Sequence, residues 1–561
     1  MEENALNTIL EELNPWWHDA SWHARDPDIQ AVESSRIKRR LLYWMVNQWL
    51  RPILERKGWA IRVFRGPRRV GKTTLMKLLI REAIRIGYNP KSITYITLDN
   101  EDLRRLVKEK GLRKILRHII TESLNQYGYS LVVIDEATFY NEWALALKNL
   151  VDEGVARTPG VLVLVTGSYS LELHAAKREL EGRMGVISGD SIGQRFIYPL
   201  RFVEVVESLS DDIREYLRRN TFTGKHMLTH VGERLCVLEA LAEPGNDKVY
   251  RFLEDLWDNI GKLTISYLEE MYLLTGGFPR ALHEYSEHGR IDDYNYVAFY
   301  NLIVSDAEKF GLESAILERI LRSKMLMPRV EGTLSSFQIE VESFKGGKER
   351  ASRTLRVEEV KAYLNYLIDG SRILTKMPSL KYVGRHEALG RVLDIDPSKP
   401  FKLVFTDPFM FHSVYWVSQG YRKNIVEAVK NVIINARYER KGWPWQLYTS
   451  LYESVVCSHV ARITLLKYGE ETSNYGRGVY KGEEYADCIV WYYDAYTSTT
   501  KIIPVEVTVS PQREDIIDRA RTVMKLLRRR LIVASSNQLN LLKGSDYEAV
   551  IVPAALLLLF I

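Results

Sequence analysis

Cysteine is scarce in this chain of 561 residues: only Cys236, Cys457 and Cys488 occur, far apart and with no C-x-x-C pair. That pattern excludes a disulfide framework and a zinc knuckle and fits a reducing compartment. Long apolar runs are missing too. The stretch Ala554 to Ile561 is apolar but far short of the roughly 20 residues a spanning helix needs, so it reads as a buried final strand. The amino terminus, Met1-Glu2-Glu3-Asn4, has neither the basic start nor the apolar core of a signal peptide. A cytoplasmic protein with no membrane attachment is expected. Strong charge of either sign is also absent: a net +6 at this length does not by itself demand nucleic acid. With 27% charged and 46% hydrophobic residues, the composition is that of a globular protein with no disordered segment. Its length exceeds what one core supports and predicts three or four domains.

Against that background one segment stands out. Gly66-Pro67-Arg68-Arg69-Val70-Gly71-Lys72-Thr73 fits G-x-x-x-x-G-K-[ST], between strand-like Ala60 to Phe64 and helix-like Leu75 to Ile80. Glycines let the backbone curl so that successive N–H groups face phosphate oxygens at a helix N-terminus, where the dipole favours anions. The loop from Gly66 through Pro67, Arg68, Arg69, Val70, Gly71, Lys72, Thr73 and Thr74 is therefore the expected cradle for ATP. Lys72 is expected to bridge the outer phosphates, and the Thr73 hydroxyl to bind Mg2+.

Such a site needs a second half, a buried strand ending in carboxylates, and Ser130-Leu131-Val132-Val133-Ile134-Asp135-Glu136 supplies it. Asp135 is assigned to Mg2+ and Glu136 to orienting and deprotonating the attacking water. A third apolar strand, Val161 to Val165, ends in Thr166-Gly167-Ser168, where Thr166 either senses the γ-phosphate or simply starts a turn.

From about Asn14 to Leu282 the chain resembles the archaeal branch of the AAA+ ATPases, in the group whose ATPase is fused to a C-terminal nuclease-like domain. The matching pieces are Asn14-Pro15-Trp16-Trp17, the phosphate loop, Asp135-Glu136 followed by Trp143, Thr166-Gly167-Ser168, Gly182-Arg183, Tyr198-Pro199-Leu200 and Gly276-Gly277-Phe278-Pro279. The resemblance implies an α/β P-loop module with a helical lid, a winged helix and a C-terminal α/β restriction-endonuclease-like domain. The corresponding divisions are an N-terminal segment 1–58, the nucleotide-binding domain 59–205, the lid 206–297, the winged-helix-like domain 298–400 and the nuclease-like domain 401–561. It also places Arg183 where an arginine finger reaches a neighbouring subunit's nucleotide, which implies a homo-oligomer. The competing reading is a surface ion pair. Arg280 is a weaker candidate for a lid arginine. Trp16 and Trp17 either approach the adenine or anchor packing.

The later segments bear on partners. Arg36 to Arg40, Arg104 to Arg117 and Arg528 to Arg530 are basic clusters that either track phosphates or form solvated helix faces. Helical periodicity at Leu312 to Arg322 and Leu355 to Ile368, then a strand at Arg372 to Lys376, suits the winged helix, whose partner is either double-stranded DNA or protein. Phe344 to Arg350 reads as an exposed loop. In the nuclease-like part the resemblance assigns Glu453, Asp487 and Glu506, the last two as a possible second Mg2+ site. Where that pattern calls for a lysine, this chain has Thr508, and a hydroxyl cannot supply a cation. Lys525 is a conceivable substitute. Three readings follow: an ATP-driven machine or switch acting on DNA or a protein through an inactive nuclease-like fold; an ATP-gated metal-dependent nuclease using Asp487 and Glu506; or a nucleotide-binding scaffold with little turnover.

Overall fold

The computed structural model describes residues 2–37, 40–167, 179–187, 194–224, 231–324, 328–332, 340–345, 349–386, 390–463, 474–494 and 498–561. Ser168, Lys38, Arg39 and Gly346 to Lys348 lie outside them. Two units emerge, one of Met1–Tyr198 with Asp369–Ser371, the other of the remaining chain.

The first unit is built on five strands, β1 (Ala60–Arg65), β2 (Ile93–Thr97), β3 (Ser130–Asp135), β4 (Val161–Thr166) and β5 (Gln194–Phe196), in the order β2-β3-β4-β1-β5. Every pairing is parallel. Each residue of β1, β3 and β4 is buried, which explains why β3 and β4 read as near-continuous apolar runs rather than alternating ones, whereas β1 also buries Arg62 and Arg65. Ridges of Ile, Leu and Val from the helices Leu112–Tyr127 and Trp143–Asp152 join the same core.

The segment before residue 59 belongs to this unit and does more than lead into it. Asn14 pairs with the outward backbone of β2, its amide donating to the Tyr95 carbonyl (3.0 Å) and its carbonyl accepting from Tyr95 N–H (2.6 Å). Both indoles of Trp16 and Trp17 donate to the Ile93 carbonyl, at 3.0 and 2.8 Å. They are packing anchors on the sheet edge. Farther on, Trp49 is fully buried against Phe64, and the Arg195 guanidinium lies 4.2 Å over the Trp44 ring.

The second unit begins with helices, including Phe202–Leu209, Asp247–Asn259, Lys262–Thr275 and Pro279–His288. The turn before Pro279 is tightly specified. A Cβ on Gly277 would stand 2.0 Å from the Leu200 carbonyl oxygen, so only glycine allows the Leu200 N–H to reach the Gly277 carbonyl at 2.8 Å. Asp407 completes the turn by accepting from Gly277 N–H at 2.8 Å and Phe409 N–H at 2.9 Å.

Beyond it come β6 (Arg329–Gly332), β7 (Glu340–Lys345), β8 (Glu349–Thr354), β9 (Leu374–Met377), β10 (Ser379–His386), β11 (Gly390–Ile395) and β12 (Phe401–Phe405). Antiparallel β6-β12-β9 form one sheet, and β7 and β8 form a hairpin. Thus Lys402 to Phe405, which the sequence divisions place after residue 400 with the C-terminal part, is the middle strand of this small sheet. The expected loop at Phe344 to Arg350 is flanked by β7 and β8 and, in its described residues, is the end of that hairpin. A last sheet holds β10, β11 and β13 (Tyr475–Tyr480), β14 (Glu483–Asp494), β15 (Thr499–Val507), β16 (Leu531–Ser535), β17 (Asn540–Lys543) and β18 (Glu548–Pro553), in the order β11-β10-β13-β14-β15-β16-β18-β17. The apolar C-terminus is not its final strand. That strand is β18, and after Pro553 the chain turns into the buried helix Ala554–Leu557, because alanine and leucine favour helix and proline opens a helical turn.

Gly277→Ala is expected to destabilise the protein by roughly 1–3 kcal/mol, the usual cost of overpacking, because backbone rather than a yielding side chain meets the methyl group. Chemical denaturation of the two proteins measures this.

Candidate functional site

The phosphate loop connects β1 to the helix Lys72–Arg85, and Gly71 is the N-cap of that helix. Gly66 has no room for a side chain: a Cβ there would lie 2.2 Å from the Ile197 carbonyl oxygen. The backbone of Ile197 reaches back to this corner and donates to the Arg65 carbonyl at 2.7 Å. Lys72 is buried, its ammonium donating to the Gly66 and Pro67 carbonyls, both at 2.9 Å. Those carbonyls hold the charge over the loop it is expected to serve.

Strand order explains how the second half arrives. β3 is separated from β1 by β4 alone, and because all three run parallel their carboxyl ends share one edge, where open α/β sheets bind ligands. At that edge Asp135 is only 2% exposed. Its Oδ2 accepts from the Thr73 hydroxyl at 2.8 Å and the Tyr95 hydroxyl at 2.9 Å. Its Oδ1 accepts from the Thr166 hydroxyl at 2.7 Å and Glu136 N–H at 3.0 Å. Burial, then the adjacent Asp135 carboxylate, push the Tyr95 phenol far above its ordinary range, so it stays a donor. Glu136 follows in a left-handed conformation at φ 48°, a conformation uncommon for a non-glycine residue and often found at functional sites.

Lys72, Thr73, Asp135 and Thr166 are thus brought together, with Glu136 beside them. The Thr166 hydroxyl faces the Asp135 carboxylate. Tyr95 is the participant that sequence reasoning missed: its strand carries no motif, and only the pairing of β2 with β3 brings its hydroxyl to Asp135. The hydroxyl of Thr73 and the carboxylate of Asp135 are hard oxygen donors in contact, a donor set that suits Mg2+. Arg183 is held elsewhere, its Nε 2.8 Å from Asp152 Oδ1, and Arg280 pairs with Glu284 one helical turn away at 2.9 Å.

Some residues of the basic clusters are held in ion pairs. Arg113 and Arg117 reach Glu153 at 2.6 and 3.5 Å, and Arg105 reaches Glu101 at 2.6 Å. Arg530 is fully buried on Glu548. Described residues of these stretches therefore include structural ion pairs.

The acids Asp487 and Glu506 both sit in the last sheet, but each has its own cation. Glu506 Oε1 is 2.5 Å from Arg519. Asp487 accepts from Lys402 at 3.0 Å and from Val507 N–H at 2.8 Å. The Lys525 ammonium lies over the Tyr480 ring, 5.9 Å from the centroid. The missed residue is Lys402, 85 positions before Asp487, a separation that no local pattern spans.

Tyr95→Phe removes a hydrogen bond to a buried carboxylate and is expected to cost about 1.5–3 kcal/mol. Denaturant unfolding reads the stability loss, and a rise in the Mg2+ concentration needed for half-maximal nucleotide turnover reads the loosened Asp135.

Residues 59–206 match the family described as AAA domain. No curated protein matches the chain. Among solved structures, a Walker-type ATPase of Pyrococcus abyssi aligns at 15% identity and a TM-score of 0.33, over 67% of this chain and 95% of that one. The Aeropyrum pernix ORC1 protein in complex with DNA aligns at 12% and 0.27, over 67% and 91%. A structure on katanin self-assembly aligns at 19% and 0.21, over 38% and 78%. At such scores the structural likenesses carry no weight; what stands is the match of residues 59–206 to the AAA domain, and the edge where the phosphate loop meets Asp135 lies within that stretch.

Proposed function

We propose that the protein is a Mg2+-dependent ATPase whose nucleotide cycle switches its C-terminal half on double-stranded DNA or on a protein partner. The observation that carries this reading is the convergence of Lys72, Thr73 and Asp135 at one sheet edge, with Glu136 next in the chain.

In this reading an incoming triphosphate takes the place of the Gly66 and Pro67 carbonyls as the acceptor for Lys72, exchanging two neutral acceptors for anionic ones. Charge-assisted hydrogen bonds are roughly twice as strong as neutral ones. The loop N–H groups and the helix Lys72–Arg85 orient the phosphates. Thr73 and Asp135 hold Mg2+, which neutralises charge on the outer phosphate oxygens. Tyr95 and Thr166 keep the Asp135 carboxylate aimed, and Glu136 positions the attacking water and accepts its proton. Arg183, which pairs with Asp152 of the same chain, is the candidate arginine finger, and that role requires a neighbouring subunit.

Three helices, Asp293–Lys309, Ser314–Lys324 and Val357–Asn365, accompany the antiparallel β6-β12-β9 sheet. That combination supports a winged helix as the element through which nucleotide state is read out. A metal-dependent nuclease is the lesser reading, because Thr508 replaces the expected lysine and the two assigned acids are engaged by Arg519 and Lys402.

Steady-state ATP hydrolysis by wild type, Lys72→Ala and Glu136→Gln, with and without duplex DNA at two salt concentrations, tests the proposal. Turnover is expected to be lost in Lys72→Ala and to fall about 10²- to 10⁴-fold in Glu136→Gln, the range for removal of a general base. Turnover that DNA stimulates less at higher salt assigns DNA as the target, and turnover indifferent to DNA assigns a protein. Unchanged turnover in both variants refutes the reading.

A further inference from the structure

Lys402 is the least expected side chain in the second unit. It sits in the middle of an otherwise apolar strand, Phe401-Lys402-Leu403-Val404-Phe405, and its side chain is fully buried. An unpaired ammonium could not remain charged there. Four carboxylates from three separate elements surround it. Its Nζ is 2.5 Å from Glu453 Oε1, contributed by the helix Gly442–Ala461, and 3.0 Å from Asp487 Oδ1 and 3.1 Å from Glu484 Oε1, both on β14. Glu331, its direct partner across β6, lies at 3.8 Å.

Further cations and one backbone amide meet the same acids. Arg329 pairs with Glu453 Oε2. Arg477 reaches Glu331 Oε2 at 3.0 Å and Glu484 Oε1 at 3.7 Å. Val507 N–H takes Asp487 Oδ2, and Arg519 takes the neighbouring Glu506. Five acids, Glu331, Glu453, Glu484, Asp487 and Glu506, thus face four cations, Arg329, Lys402, Arg477 and Arg519. Burial opposes the charge on Lys402, but Asp487, Glu453 and Glu484 outweigh it and hold the ammonium well above its ordinary range.

A divalent ion would need the same oxygens. Mg2+ demands near-octahedral oxygen ligands at about 2.0–2.1 Å and keeps several waters. The ammonium already stands at the point where Glu453, Asp487 and Glu484 converge, and burial, then the Asp487 charge, push Glu453, Glu484 and Glu506 up toward their neutral forms, which leaves little negative charge to attract two further positive charges. Among the described residues, no group of three or more His, Cys, Asp or Glu is arranged to hold a metal.

We propose that the ammonium of Lys402 occupies the place of a divalent cation in this carboxylate cage, so that the C-terminal sheet carries a metal-type site permanently filled by the protein's own side chain. Taking away the amine should open that site to Mn2+ or Mg2+. This inference does not depend on the ATPase reading, since the cage and the phosphate loop belong to different units.

The test is Mn2+ binding to the nucleotide-free full chain, counted by electron paramagnetic resonance, for wild type, Asp487→Asn, Lys402→Met and the double variant. Wild type and Asp487→Asn are expected to bind the same number of ions. Lys402→Met should gain one Mn2+, with a higher melting temperature when Mn2+ is present, and the double variant should lose it. An Asp487-dependent Mn2+ ion in the wild type overturns the proposal, as does a folded Lys402→Met that gains none. Should neither single variant fold, competition on the wild type decides: Mn2+ bound within contact of the cage, seen as paramagnetic broadening of Tyr485 and Val507 amide resonances, refutes it, and unbroadened signals support it.

Discussion

Water has almost no access to Asp135, so its negative charge has to be stabilised by the protein itself, and four donors do so. Two hydroxyls, from Thr73 and Tyr95, reach one oxygen; the Thr166 hydroxyl and a backbone amide reach the other. These donors come from the first turn of a helix and from β2, β3 and β4, so the carboxylate can be satisfied only when three parallel strands and the phosphate loop are in register. Hydrogen bonds to charged groups contribute about 1.5–3 kcal/mol each. The sheet therefore fixes the site, and the charge at the site in turn rewards assembly of the sheet.

What could be read from the sequence divides along a physical line. Glycine spacing, Lys72, Thr73 and the Asp135-Glu136 strand end were legible because each is a local pattern in which neighbouring residues state their own geometry. Buried strands β3 and β4 announced themselves as apolar runs. Tyr95 and Lys402 did not, since their meaning depends on partners 40 and 51 or more residues away, brought close only by strand pairing and packing. The final strand was misplaced for a related reason: an apolar run reports burial but not conformation, and Pro553 with the alanines after it selects helix. For the tryptophans near the start the sequence left adenine contact and packing anchor both open, and only the Ile93 carbonyl they share decides for the anchor.

The two units treat buried charge in opposite ways. In the first, Lys72 is parked on two neutral carbonyls, a weak arrangement that an anionic ligand can displace. In the second, Lys402 rests among carboxylates, where no small ligand offers better terms. The acceptors described for the two lysines thus differ in charge, neutral carbonyls in one setting and carboxylates in the other. This contrast also explains why an acidic trio from one helix and two strands, so suggestive in the sequence, is a poor guide to catalysis until its counter-ions are known.

Asn14, Trp16 and Trp17 spend their hydrogen bonds on the outward backbone of β2. A sheet margin with open amides and carbonyls invites a further strand from any passing chain. Here alternate residues of that margin are already engaged by side chains, which cannot propagate a ladder. Growth of the sheet beyond β2 is therefore halted from within the same polypeptide, and the margin is protected against edge-to-edge aggregation without a covering strand or a row of surface charges.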